Sequence, residues 1–388
     1  MSELRAEELR AFLDEKAALP GMVFREPDVF REENEKIFSR GWISVGCAQT
    51  VAEPGAVFPL EIGGVSLLLV RDKTNQVRVF YNMCMHRGSA LATEPCQARG
   101  GLLSCPYHGW VYSLDGSLKS APFFECSSRS SSLNDAEQKT RGLIAVRSVV
   151  WRDIVFVDLS GEAAPFEEMI APLDDRLRHW PAEELRPLVV DEFQVEANWK
   201  LAAENFVDAY HLPVVHNQIC PGFEAARQQF GVEVSSRIVG MIMPTGYGTP
   251  NEGADSGMPL FSSLDEDEKL RIETFVIFPN TLILVEPDFQ QVIVLRPQGP
   301  NLTHETFAGY VVSDEALSGE RAELREEMKD LSLEVNVQDV ALLEQLQKSR
   351  SMPQAVATRM APEWDQTVFA FEKIWARVML GASESSRR

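Results

Sequence analysis

The spacing of apolar positions changes twice along this chain. Near the N-terminus Leu4, Leu9, Phe12 and Leu13 fall at helical intervals, and a second helix is expected from Asp28, as its cap, to Gly41. From Trp42 the period shortens. Apolar and β-branched runs at 42–45, 65–70, 77–81 and 154–157 alternate with the turn signals Pro54-Gly55, Gly63-Gly64 and Asp115-Gly116. Residues 42–160 therefore read as a small all-β domain. Residues 163–180, with prolines, acidic side chains and a short helical pattern, are the linker candidate.

Beyond residue 161 the pattern is different again. A strand at 188–196 precedes a helix at 199–211, and runs at 274–278, 282–286, 291–295 and 306–312 read as an antiparallel meander punctuated by Pro279-Asn280, Pro287-Asp288 and 297–301. Helices are expected at 314–348, with breaks, and at 363–380. Helices segregated from an antiparallel sheet make this domain α+β. The segment 246–268, rich in Gly, Pro, Ser and Asp, reads as a disordered insertion or a mobile lid.

Composition narrows the class. At 388 residues the chain is long enough for two domains with real cores. Its longest apolar runs, such as Val65 to Val70 and Thr281 to Val285, are strand-length and fall short of the ~20 residues of a membrane helix. The N-terminus is charged and lacks the apolar core of a signal peptide, so a cytoplasmic protein is expected. A formal net charge of -21 argues against nucleic acid and anionic membranes as partners.

Six cysteines and six histidines form the soft-ligand inventory, and four of the histidines fall in two tight clusters. In the first, Cys84-Met-His86-Arg-Gly is followed by Cys105-Pro-Tyr-His108-Gly-Trp. Two Cys-His pairs on hairpin loops suit a [2Fe-2S] centre, with two cysteines on one iron and two histidines on the other, or a Cys2His2 zinc site. The second is Glu204-Asn205-Phe-Val-Asp208-Ala-Tyr-His211-Leu-Pro-Val-Val-His216. Two histidines and a carboxylate on one face of a ferrous ion leave positions open for O2 and substrate. His211 and His216 would diverge by about 140° on a continuous helix. Pro213 is expected to end that helix, so that His216 folds back. On the residues alone Asp330, Glu334, Asp339 and Glu344 compete for the third ligand.

Together the two motifs, in this order and at this distance, resemble those of the Rieske non-haem iron oxygenases, in the ring-hydroxylating and choline monooxygenase-like branch. The resemblance spans most of the chain, and its fold would be a Rieske domain plus a catalytic domain of helix-grip type that includes residues 1–41 along with 161–388. It implies Cys84, His86, Cys105 and His108 as cluster ligands and His211, His216 and Asp339 as ligands of a mononuclear Fe(II). It also implies Asn205 near the iron and Asp208 as a bridge to a cluster histidine. Gln347, eight residues after Asp339, matches the choline-oxidising branch. The 18 residues between His86 and Cys105 exceed the family's usual spacing, which suggests an insertion around Cys96.

The cysteines that flank the cluster in respiratory Rieske proteins are replaced here by Gly88, Ser89 and Trp110. Cys47, Cys96, Cys126 and Cys220 are expected to be ordinary residues, and His179 and His304 surface ones. The implied activity is that of a terminal oxygenase using O2, in a homotrimer, with electrons from a separate NAD(P)H-dependent reductase, sometimes through a ferredoxin. No Gly-x-Gly-x-x-Gly follows a strand, so the reductase role is not this chain's. Phe206, Met241, Met243, Phe275 and Phe278 are candidates for an apolar pocket or for core. The rival reading is an electron carrier or a zinc-stabilised binding protein.

Overall fold

A computed structural model describes residues 7, 9, 10, 12, 13, 18–124, 134–217, 229–245, 257–352 and 360–381. Leu4, Cys126, Cys220 and residues 246–256 of the expected lid lie outside the described residues. The chain divides into two compact units, Ser39–Ala163 and the combination of Met1–Phe38 with Ala164–Arg388. Among the described residues no helix is long and apolar enough to cross a membrane.

The smaller unit is built of strands β1 (Trp42–Cys47), β2 (Ala56–Ile62), β3 (Val65–Arg71), β4 (Val77–Tyr81), β5 (Cys96–Gln97), β6 (Leu102–Ser104), β7 (Val111–Ser113), β8 (Leu118–Ser120), β9 (Arg147–Trp151) and β10 (Ile154–Asp158). They form three antiparallel sheets in the orders β1-β10-β9, β4-β3-β2-β5 and β6-β7-β8. The residues around Cys96 form β5 at the edge of β2, pairing Val57 with Cys96 and Ala56 with Gln97. One apolar core runs from Val57, Leu68 and Phe80 to Cys84, Cys105, Trp110 and Tyr112. Both motif cysteines are thus anchored in the packed interior.

The larger unit is an α+β structure around a seven-stranded antiparallel sheet in the order β11-β17-β16-β15-β14-β13-β12. Its strands are β11 (Leu185–Val195), β12 (Gln229–Ser235), β13 (Ile238–Pro244), β14 (Arg271–Ile277), β15 (Thr281–Val285), β16 (Phe289–Gly299) and β17 (Leu302–Val312). Its helices are α1 (Pro27–Glu33), α2 (Phe166–Arg176), α3 (Trp199–Phe206), α4 (Leu212–Val215), α5 (Ala322–Arg350) and α6 (Gln366–Leu380). Against the sheet, α5 meets β11, α3 meets β16, and α6 meets β12 and β13.

Several expected boundaries move, each for a physical reason. Pro27 opens α1, so Asp28 sits in the first turn, paired with Arg31, and the helix gives way to a π turn at Asn34–Phe38. Most of the linker candidate is α2, packed through Phe166, Ile170 and Leu173, with Trp180 fully buried after it. Residues 257–268 are packed as well, burying Met258, Phe261 and Leu264. The helix expected through His211 ends at Phe206, and Pro213 instead lies in the first turn of α4. Asp208 Oδ1 accepts the Tyr210 amide at 2.7 Å, a local turn that competes with the helix. Ala209 meanwhile is drawn into a cluster with Met241, Met243 and Ile272.

Two buried networks fix α3. Asn198 caps it by accepting from the Lys200 amide, and its own amide group donates to the carbonyls of Phe24 and Pro300. Gln347 accepts from the Asn198 backbone at 2.9 Å and donates to the same Phe24 carbonyl at 3.0 Å, so it anchors the N-terminal segment to α5. In the first turn of α3, Lys200 Nζ pairs with Glu33 Oε1 at 2.6 Å with both residues wholly buried. Glu33 also accepts from the indoles of Trp199 and Trp375. Breaking such a pair from one side costs about 3–5 kcal/mol, so the start of α3 is held firmly.

Candidate metal centres

The smaller unit makes one turn twice. The Cys84 amide donates to the Ser89 carbonyl and the Gly88 amide to the Cys84 carbonyl, at 2.8 and 2.9 Å. In the second loop the Cys105 amide donates to Trp110 and the Gly109 amide to Cys105, at 2.7 and 3.1 Å. Gly88 and Gly109 adopt φ of 77° and 70°, the left-handed region that closes each turn without a Cβ penalty. The consequence is a paired arrangement. The two thiols are buried within hydrogen-bonding reach of each other, and the rings of His86 and His108 stand 4.6 Å apart between centroids.

Loop amides are aimed at the sulfurs, from His86 to Cys84 and from Tyr107 and His108 to Cys105. Burial raises both thiols, and for Cys105 these donors outweigh it and hold the thiol below its ordinary range. Tyr112 adds a hydroxyl 3.3 Å from Cys84 Sγ. Burial, with His108 and Arg87 nearby, pushes His86 down and keeps its imidazole neutral, the form that ligates metal. Its Nδ1 is buried without a hydrogen-bond partner, and Trp110 stacks on the ring at 5.0 Å. A thiol pair inside, an imidazole pair outside and an orphaned ring nitrogen fit a [2Fe-2S] group held by Cys84, Cys105, His86 and His108. His108 is exposed against exposed Tyr107, with ring centroids 3.8 Å apart, and exposed Phe124 meets the His86 ring at 6.2 Å.

In the larger unit, donor atoms of His211, His216 and Asp339 lie within 4.8 Å of one another. Asp339 Oδ1 is 3.0 Å from His216 Nε2 and 3.5 Å from His211 Nε2. Ligand bonds near 2 Å from three such atoms meet at one point between them. Asp339 is on α5, His211 precedes α4 and His216 follows it, so the short helix turns both rings towards the same carboxylate. Asn205, at the end of α3, places Nδ2 3.5 Å from His211 Nε2 and 3.4 Å from Asp339 Oδ1. Asp208 Oδ2 stands 3.5 Å from His211 Nδ1, a nitrogen otherwise buried without a hydrogen bond.

The electrostatics of this triad call for a cation. Burial alone would lower His211, but Asp208 and Asp339 override it and hold the imidazole up at about 9. Asp339, opposed by its own burial, is pushed below the ordinary carboxylate range by the two histidines. Positive charge is favoured at the point where the three donors converge, which is what a divalent iron supplies.

Of the competing carboxylates, Glu344 accepts the Glu196 amide and Glu334 accepts from Gln338, and neither joins the triad. His179, expected at the surface, bonds buried Glu268 through Nδ1 at 2.8 Å, because Glu268 is a hub for Asp265 and Arg271 as well. His304 is partly buried in β17. Cys47 is buried and Cys96 exposed. Met241 and Met243 pack beside Ala209 and Leu212, next to His211, whereas Phe278 packs against Trp199 and Phe371 in the core. Sequence reasoning passed over Tyr112 and Gln338. Only their positions, two residues after Trp110 and one before Asp339, were available as signals.

Comparisons with known proteins match both domains. A Rieske [2Fe-2S] domain matches residues 41–129 and the ring hydroxylating alpha subunit (catalytic domain) matches residues 175–381. Choline monooxygenase, chloroplastic, of Spinacia oleracea is 26% identical over 344 residues, covering 86% of this chain and 72% of that one. The carnitine monooxygenase oxygenase subunit of Escherichia coli (strain K12) is 26% identical over 338 residues, covering 85% and 83%. Among solved structures, naphthalene 1,2-dioxygenase from Rhodococcus sp. bound to indole aligns with a TM-score of 0.78 at 18% identity, covering 98% and 99%. A quaternary ammonium Rieske monooxygenase in complex with L-carnitine aligns at 0.74 and 20%, covering 98% and 100%.

Proposed function

The chain belongs to the ring-hydroxylating oxygenase alpha subunits, a Rieske [2Fe-2S] domain preceding the catalytic domain, and on that premise we propose that Cys84, His86, Cys105 and His108 hold the cluster and His211, His216 and Asp339 the mononuclear iron. The protein is a terminal oxygenase acting on a small molecule with O2 as co-substrate. The convergence of two imidazole nitrogens and one carboxylate oxygen within 4.8 Å carries the assignment of the iron. An electron carrier has no use for that triad, and a zinc-stabilised binding protein has no use for the second set of ligands.

A [2Fe-2S] group held by Cys84, His86, Cys105 and His108 would supply single electrons, and an iron held by His211, His216 and Asp339 would supply O2 activation for oxidation of a C-H or C=C bond. The chain's own residues prepare for this. Asp339 would neutralise part of the ion's charge, and with only His211 and His216 beside it room would remain for O2 and substrate. Asn205 offers an amide donor to the space between His211 and Asp339. Met241, Met243 and Leu212 give the neighbourhood of His211 an apolar wall that excludes water. Asp208 orients the His211 ring and, in this reading, also receives a cluster histidine of an adjacent subunit in a homotrimer. Exposed His108 and its aromatic rim serve as the port for electrons from a separate NAD(P)H-dependent reductase, directly or through a ferredoxin. A cytoplasmic setting suits that supply.

Metal and sulfide analysis tests the reading. Iron-replete protein is expected to hold about three irons and two acid-labile sulfides per chain, and with a reductase, NADH and 18O2 to label a product from a substrate panel. About two irons with no label would leave only an electron carrier.

A further inference from the structure

On the side of the large sheet away from the triad, three arginines converge. Directly paired residues share a face of a sheet, and Ile242, Glu273 and Val285 form one such row across β13, β14 and β15. Arg271, Glu273 and Phe275 alternate along β14 and so stand on that face. Ile272 points the other way, into the cluster with Met241, Met243 and Ala209. The end of α2 covers the Arg271 face, since Arg176 Nε donates to Glu273 Oε2 at 2.6 Å and its guanidinium lies 5.5 Å from the centre of the Phe275 ring. Between α2, β12 and β14 an open cleft of about 350 Å³ remains, lined by Arg176, Arg178, Arg271, Val232, Val234 and Glu268.

The carboxylates around this cleft are already engaged. Buried Glu273 is flanked by Arg176 Nε at 2.6 Å and Arg271 Nε at 2.9 Å, so one carboxylate holds two guanidiniums side by side. Glu268, also buried, meets His179 Nδ1 at 2.8 Å and accepts from the Asp265 amide at 3.0 Å and from Arg271 Nη2 at 3.3 Å. Glu233 has its carboxylate 4.0 Å from Lys373 Nζ. Asp175, exposed at the rim, accepts from Arg178 Nη1 through its backbone carbonyl at 3.0 Å. The donors, by contrast, are in surplus. Among the described residues the guanidiniums of Arg176, Arg178 and Arg271 each donate a single hydrogen bond, and that of Arg176 uses Nε, which leaves both its terminal nitrogens available. A guanidinium edge of this kind matches two oxygens of a carboxylate or a phosphate.

We infer that the cleft is a second ligand site, which takes a small dianionic oxyanion, a phosphate or a dicarboxylate, between Arg176, Arg178 and Arg271. Its volume is at the lower end of the range for ligand sites, about 300–1,000 Å³, and suits a small molecule. Glu273 supplies the preorganisation, because two side chains that it already holds lose little freedom when the anion arrives. The sheet separates this site from the wall of Met241, Met243 and Ile272, so its ligand is distinct from the substrate.

Calorimetric titration of the iron-replete holoenzyme at fixed ionic strength tests this, with inorganic phosphate and malonate as dianions and acetate as the monoanion control. Saturable binding of at least one dianion is expected, about tenfold tighter than acetate, and the tighter dianion identifies the ligand type. Arg178→Gln, at an exposed position, should weaken that binding about tenfold, the loss of one charge-assisted contact. Both dianions can also ligate iron, so the same titration on Asp339→Ala, with iron content measured on the same sample, separates the two sites. Its affinity should match wild type. No saturable binding of either dianion, binding unchanged in Arg178→Gln, or binding lost in Asp339→Ala would overturn the assignment.

Discussion

Gln338 Oε1 accepts a hydrogen bond from His216 Nδ1 at 2.8 Å, which leaves Nε2 of the same ring facing Asp339 Oδ1 at 3.0 Å. Two consecutive residues of α5 thus act on opposite nitrogens of one imidazole. Gln338 fixes the tautomer and the ring plane, and in the proposed site the freed nitrogen would share the metal with Asp339.

Replacing Gln338 by Ala is expected to weaken iron binding by about 10–100-fold, the usual effect of losing the partner that orients a ligating histidine. The [2Fe-2S] absorption should be untouched, because no residue is shared between the centres. Iron retained after dialysis against a weak chelator measures it. Retention equal to wild type would mean that packing alone holds the ring.

Tyr112 bears on the cluster's potential. Its hydroxyl lies 3.3 Å from Cys84 Sγ and also accepts the Met85 amide at 3.0 Å. Burial and the neighbouring thiol push the phenol well above its ordinary range, so it remains protonated and able to donate. A hydrogen bond to sulfur favours the reduced, more negative cluster. Tyr112→Phe should lower the midpoint potential by roughly 40 mV, taking about 1 kcal/mol for the bond and 59 mV per tenfold for one electron. Redox titration followed by the visible spectrum is the measurement, and an unchanged potential would remove Tyr112 from the cluster's control.

Much of this arrangement is legible in the sequence because its determinants are local. Cys84 with His86 and Cys105 with His108 sit on single loops, and the dipeptides Pro279-Asn280 and Pro287-Asp288 mark the meander. Asp339 is a different matter, since it meets His216 across 123 residues and helical carboxylates carry no local mark. Only the resemblance singled it out. The end of α3 could not be read from periodicity, because the pull of Ala209 into the Met241 and Met243 cluster overrides local propensity.

Asp208 performs two tasks with its two oxygens. Oδ1 accepts the Tyr210 amide and shapes the turn, while Oδ2 faces His211 Nδ1 and remains partly exposed. Asparagine keeps an oxygen for the turn and removes the charge, so Asp208→Asn separates structure from electron transfer better than alanine does. The variant should retain both metals but slow oxidation of the cluster in substrate-bound enzyme by orders of magnitude. Single-turnover stopped-flow absorbance reads this directly, and native kinetics with native product yield would show that electrons take another route.

Glu204, on α3, and Glu372, on α6, form a buried carboxyl pair. Glu372 is wholly buried and accepts the Leu19 amide at 3.4 Å, while its protonated form donates to Glu204. Burial raises Glu204 to about 7, although Arg350, Glu372 and Lys200 oppose it, and burial together with Glu204 raises Glu372 further. In the unfolded chain both would titrate at ordinary carboxyl values, about 4.3. Between that pH and 7 the folded protein therefore holds more protons than the unfolded one, so stability falls as pH rises, and the Glu372 contribution keeps falling above 7. Asp72 works in the other direction, being held at about 2 by Thr74, Arg78 and backbone donors against its burial. Its contribution is complete above the ordinary aspartate range and does not intrude at neutral pH. A tenfold difference in proton affinity between the folded and unfolded chains amounts to about 1.4 kcal/mol, and each 1 kcal/mol to on the order of 2–4 °C in melting temperature for a sizeable domain. Wild-type protein with its metals bound should therefore melt several degrees lower at pH 8.5 than at pH 6. Glu204→Gln should narrow that gap and melt above wild type at pH 8.5, with Lys200 still paired to Glu33. Circular dichroism melts at the two pH values make the comparison, and equal gaps in both proteins would show that the pair carries no strain.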